Sequence, residues 1–182
     1  VEENRNKRNV LKYSPTVTNE LGYYYCNINN AQGQGPYGLC WAATTATIVN
    51  YLRGTNRTAK NVADALKIGY DDGGTRNDIV RGLSYYGVNE YAAYSGTESF
   101  SEIRSQIEEK HPMAMLGWAA NGAGHAVTLY GYRNLTSGQY VMLWNSALNN
   151  NKGGMTVTSY KSSGMTFATG STNFTWGQTV KQ

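Results

Sequence analysis

Pro112 separates two regimes of apolar spacing, and one kind of layer cannot accommodate both. Before it, apolar residues recur at helical intervals. Ala42 to Leu52 carries one such run, opened at Leu39 and closed after Arg53 by Gly54. Thr58 can cap a second with Val62, Ala65 and Leu66 on one face, and Thr75 a third with Ile79, Val80 and Leu83. Ser99 with Glu102 has the spacing of a capping box before Phe100, Ile103 and Ile107. After Pro112 the runs Met113 to Trp118, Ala126 to Arg133, Gln139 to Asn145 and Met155 to Tyr160 read as strands between Gly/Asn/Ser turns. The expectation is an α+β fold, with a helical N-terminal half, an antiparallel β-sheet C-terminal half and a cleft between them.

Residues 1–33 lack periodicity and read as an extended arm or the end of a removed propeptide, in which Tyr23 to Tyr25 can add an edge strand. Residues 34–182 then form the folded domain, since 182 residues suffice for one sizeable core or two lobes around a cleft. A net charge of +4 without a dense Lys/Arg cluster argues against nucleic acid as a partner, and Arg5, Lys7, Arg8 and Lys12 read as a solvated arm. No apolar run approaches the ~20 residues of a membrane span. The Asn/Tyr/Gly-rich, charge-poor composition points to a secreted, extracellular protein. Asp71-Asp72 lacks a third acidic ligand at suitable spacing and reads as a turn, so neither metal nor cofactor is expected.

The chemistry begins at Gln34-Gly35-Pro36-Tyr37-Gly38-Leu39-Cys40-Trp41-Ala42, where a glycine-rich loop delivers a cysteine to the mouth of a helix. Unpaired N–H groups and the positive end of the helix dipole favour thiolate there. Gln34 can return across the turn and aim its side-chain amide at a developing oxyanion. The only other cysteine is Cys26, and a bridge to it would block Cys40.

A cysteine nucleophile needs a base, and only His111 and His125 are available. His125 is preferred, because it follows Asn121-Gly122-Ala123-Gly124 and starts a strand that can hold it rigidly over the cleft. Asn145, at the end of the next strand, is the candidate orienter. Its carbonyl can accept from the imidazole without adding a full charge.

These residues resemble, in order from Gln34 to Tyr160, the motifs of papain-like cysteine peptidases, especially compact bacterial, staphopain-like ones. Gln34-Gly35 through Cys40-Trp41-Ala42 is similar to the oxyanion-glutamine and nucleophile motif. Gly124-His125-Ala126-Val127 is similar to the histidine strand, and Trp144-Asn145-Ser146 to the asparagine motif. The resemblance implies a papain-like two-lobed fold, with Cys40 as nucleophile, His125 as general acid/base, Asn145 as orienter and Gln34 in the oxyanion hole. Gly73 and Gly74 would bind an extended peptide, and Trp118 is a candidate apolar contact. Ala147 stands where the family often has a tryptophan shielding the Asn–His hydrogen bond, leaving Trp144, Trp118 or Trp176 as the expected cover.

The expected activity is thiol-dependent endopeptidase action on peptide or protein substrates, with apolar or aromatic residues near the scissile bond. A propeptide or a proteinaceous inhibitor is the expected regulatory partner. The rivals are an acyltransferase or amidase using the same triad, and a catalytically silent binding module on the same scaffold.

Overall fold

The computed structural model describes residues 12–182, so the solvated-arm reading of Arg5, Lys7 and Arg8 falls outside the described residues. In chain order the elements are β1 (Val17–Glu20), β2 (Tyr23–Cys26), α1 (Cys40–Arg53), α2 (Ala59–Leu66), α3 (Arg76–Tyr85), β3 (Ala92–Ser95) and α4 (Phe100–Glu108). They continue with β4 (Met113–Trp118), β5 (Gly124–Leu135), β6 (Gly138–Asn145), β7 (Gly154–Ser159), β8 (Thr166–Thr169) and β9 (Thr172–Lys181).

Local chemistry sets the helix ends. Thr58 and Thr75 each accept from the backbone N–H three residues on, and Asn61 and Asp78 reciprocate, so α2 and α3 begin in complete capping boxes. At α4 only half of the expected box forms. Ser99 accepts from the Glu102 N–H, while the Glu102 carboxylate is drawn to Gln106 and Lys181 instead. Helix α1 has no side-chain cap at Leu39 and ends at Gly54 in the left-handed region, φ 68°.

All strand pairings are antiparallel, and β5 organises them. It pairs with β4 (Gly117 opposite His125), with β6 (Thr128 opposite Trp144) and, at its far end, with β2 (Tyr24 opposite Tyr132). The sheet path runs β1-β2-β5-β4-β9-β3, with β6 and β7 branching from β5 and β8 from β9. The first half of the chain is therefore not purely helical. It lends three strands to the sheet, because β3 closes against β9 and the β1–β2 hairpin against β5.

Strand β4 explains the two lobes. Its first five residues are all buried, which an apolar strand achieves only when both faces are covered. Met113 and Met115 enter one core with Val127, Leu129, Ile103 and Ile107. Ala114 and Leu116 enter the other with Trp41, Ile48, Val49, Val62, Ile79 and Leu83. The antiparallel sheet thus has a helical lobe of α1 to α3 against one face and α4 against the other.

Candidate active site

The helical lobe brings Cys40 to the cleft through a helix that is solvent-excluded from Trp41 to Tyr51. Glycine at position 74 lets the opposing turn come close, since a Cβ there would lie 2.3 Å from the Trp41 ring. Gly73 sits at φ 71° with open space around it, leaving its backbone accessible. The Asp71 carboxylate accepts from the Gly38 N–H (3.0 Å), tying this turn to the cysteine loop.

The sheet lobe supplies His125 and Asn145. Because β5 and β6 are antiparallel neighbours, the start of one meets the end of the other, and His125 Nε2 lies 2.8 Å from Asn145 Oδ1. Asn145 is itself fixed on every side. Its Oδ1 also accepts from the Ala147 N–H (3.1 Å), and its Nδ2 donates to Thr169 Oγ1 (2.8 Å) and Ala168 O (3.4 Å) on β8.

Phe174 and Phe167 pack on the imidazole, with ring centroids 5.1 and 6.3 Å away, and stack on each other at 5.6 Å. This cover of the ring comes from the β8–β9 hairpin. Trp176 is buried with its indole N–H on Gln178 O and Thr179, and Trp144 donates to Gln32 O. Sequence reasoning missed Phe167, Phe174 and Thr169; the alternation Phe174, Trp176 was the available signal for β9.

A cavity of about 290 Å³ holds most of the candidates together: Cys40, Gly73, Gly74, Trp118 and His125 line it. Trp118 is 40% exposed at its rim. Gln34 is not among the lining residues. Its Nε2 donates to Tyr37 O (2.9 Å), its Oε1 accepts from the Ser146 hydroxyl (3.0 Å), and its N–H donates to Ser146 O (3.2 Å). The Gln34 loop is thus tied to the residue after Asn145. His111 lies outside the cavity, 3.8 Å from Glu109. A larger open groove between α2 and α3 is lined by Arg57, Asp64 and Tyr86 and contains no candidate residue.

The electrostatics differ from the sequence expectation. Burial pushes the Cys40 thiol up, against the direction its helix-start position favours, although backbone groups of Ala126, Trp41 and Cys40 itself pull the other way. Burial likewise depresses His125, opposed by its hydrogen bond to Asn145. Desolvation therefore favours the neutral form of each group.

Both cysteines are free. No helix among the described residues is long and apolar enough to cross a membrane.

Comparison with known proteins agrees with this architecture. The family described as Peptidase_C39 like matches residues 13–182. No curated protein matches by sequence. Among solved structures, one from work on antibody cross-reactivity between the mite allergens Blo t 1 and Der p 1 superimposes with a TM-score of 0.52 at 13% identity, covering 93% of this chain and 72% of that one. Digestive procathepsin L 3 from the larval midgut of Tenebrio molitor gives 0.52 at 14% identity, covering 82% and 68%. At such identities the likeness is one of fold.

Proposed function

The chain belongs to the Peptidase_C39 like family, and from that premise we propose that it is a papain-like, thiol-dependent endopeptidase working through Cys40, His125 and Asn145. The observation that carries this reading is the 2.8 Å contact of His125 with Asn145 beside a cavity that His125 shares with Cys40, Gly73 and Gly74. In the proposed cycle an extended peptide pairs with the backbone at Gly73 and Gly74. Cys40 passes its proton to His125 as its sulfur attacks the scissile carbonyl. The proton moves in the same step as the attack, so the imidazolium forms only as negative charge passes from sulfur to the carbonyl oxygen, and its attraction to that charge offsets the desolvation of both groups. The oxyanion is held by the Cys40 N–H and by the Gln34 amide hydrogen that Tyr37 O leaves free. His125 then protonates the leaving amine and, as base, directs water onto the acyl-enzyme. Asn145 keeps the ring from rotating.

Within this reading, residues 34–182 carry the catalytic machinery of the peptidase domain, and the β1–β2 hairpin before them joins the same sheet. The finer assignments are a staphopain-like, bacterial, secreted enzyme restrained by a propeptide or a proteinaceous inhibitor. That one structural neighbour is a procathepsin by name supports the propeptide.

The test is hydrolysis of a diverse peptide library by wild type and Cys40→Ala. Turnover that vanishes in the variant, with circular dichroism unchanged, is the expected result; persistent hydrolysis would sink the assignment. Product analysis with an added amine separates hydrolysis from acyl transfer, and dominant transfer would overturn the peptidase reading.

A further inference from the structure

A second cavity of about 400 Å³ opens beside the first and shares Gly74, Leu116 and Trp118 with it. Its remaining walls are Thr75, Arg76, Asn77 and Gln178. Arg76 is the one cation among these lining residues, and its Nη1 is buried without a hydrogen-bond acceptor among the described residues. A guanidinium nitrogen removed from water and left without an acceptor is unfavourable. Its position compounds this, for Arg76 is the first residue of α3, where the helix dipole repels a cation.

The nearby carboxylate does not relieve it. Asp78 accepts from the Thr75 N–H and hydroxyl (2.9 and 3.1 Å) and from Arg81 Nη1 (2.9 Å), so its charge is spent on the capping box and on another arginine. Asp71, earlier on the same turn, is engaged by the Gly38 N–H. What the second cavity lacks is an anion.

Resting on the peptidase reading above, we infer that this cavity is a subsite for an acidic substrate side chain, with Arg76 as its specificity-determining residue. A peptide running along Gly73 and Gly74 would project one side chain past Trp118 into it. A carboxylate there neutralises the unpaired guanidinium through a charge-assisted contact with the part of Arg76 that lines the cavity. The amide groups of Asn77 and Gln178 supply further donors, and the Trp118 and Leu116 walls hold the methylene stem. The apolar preference expected from the sequence is thereby replaced, at this one position, by Glu or Asp.

Two arms test the subsite. In the first, quenched peptides carrying Glu, Gln, Leu or Lys at each of the three positions preceding the scissile bond are cleaved by wild type, Arg76→Gln and Arg76→Lys. A Glu-over-Gln preference of about tenfold or more in kcat/KM is expected at one position. Arg76→Gln should erase it, and Arg76→Lys, which keeps the charge but not the fork, should keep part of it. Equal cleavage of the Glu and Gln peptides by wild type, or a preference unaltered in Arg76→Gln, overturns the inference.

In the second arm the same peptides bind Cys40→Ala protein, followed by fluorescence anisotropy. If wild type cleaves none of them, the peptidase reading has failed. The Glu-to-Gln affinity ratio then decides the subsite alone: about tenfold or more upholds it, and parity removes it. Thermal melts of both Arg76 variants exclude loss of fold.

Discussion

The two walls of the cleft hold their reactive groups by different means. Cys40 stands on a helix locked by packing: the eleven residues after it are all buried, and Trp41 fits into the space that Gly74 leaves. His125 stands on a strand whose exposed end is held by directional contacts, to Asn145 and through it to Thr169 and Ala168, under two phenylalanine rings. Packing tolerates exchange of one apolar side chain for another of similar volume; hydrogen bonds to a single carboxamide do not. Damage to the helical wall should therefore appear as lost stability, and damage to the sheet wall as lost activity.

The sharpest way to break this contrast is Asn145→Ala. It should lower kcat/KM by about 10²–10⁴-fold by freeing the imidazole, while the protein stays folded by near-ultraviolet circular dichroism. A loss of activity no greater than the loss of folded protein would put both walls on the same footing. Next comes Ile48→Ala in the middle of α1, fully buried. It should cost ~2–5 kcal/mol in urea unfolding yet leave the activity per folded molecule unchanged.

Thr169→Val tests whether control of the sheet wall extends beyond the triad. Losing the acceptor for Asn145 Nδ2 should cost about 1 kcal/mol, roughly a fivefold fall in kcat/KM, with recovery in Thr169→Ser.

The last prediction concerns pH. Burial holds both His125 and His111 below the ordinary 6.5. Below that value the unfolded chain takes up protons that the native one refuses, so unfolding free energy should fall as pH drops through it. The slope is at most about 1.4 kcal/mol per pH unit for each group. His125→Gln should shrink it in urea midpoints; Glu102, held low chiefly by Lys181, acts only below 4.5.

Legibility in the sequence follows the same division. The helices were readable because 3.6-residue spacing and capping residues are local signals: α1 to α4 start within one residue of the places read for them, and α1 ends at Arg53 as expected. Strands β4 to β7 were readable from their apolar runs. Strands β3, β8 and β9 were not, since Ala92–Ser95 and Thr166–Thr169 are only four residues long, and β3 and β9 owe their state to pairings distant in sequence. A bulge shifts the register of β9 against β4 between Leu116 and Gly117, breaking the alternation that would have exposed it. The same blindness hid half of the candidate site. His125 and Asn145 could be paired because a short hairpin joins their strands. Thr169, Phe167 and Phe174 reach them only through the register of a later hairpin. Likewise nothing local announced that the Gln34 amide would face Ser146 and Tyr37.

The two thiols also give this protein a gauge of its own integrity. Cys26 is fully enclosed, its Sγ 3.9 Å from Ile107 O, and burial pushes it up to about 12. Cys40 is partly open at the cleft. A colorimetric thiol reagent should therefore count one equivalent per native chain and two per denatured chain, so that the ratio reads out the folded fraction of any preparation without an activity assay.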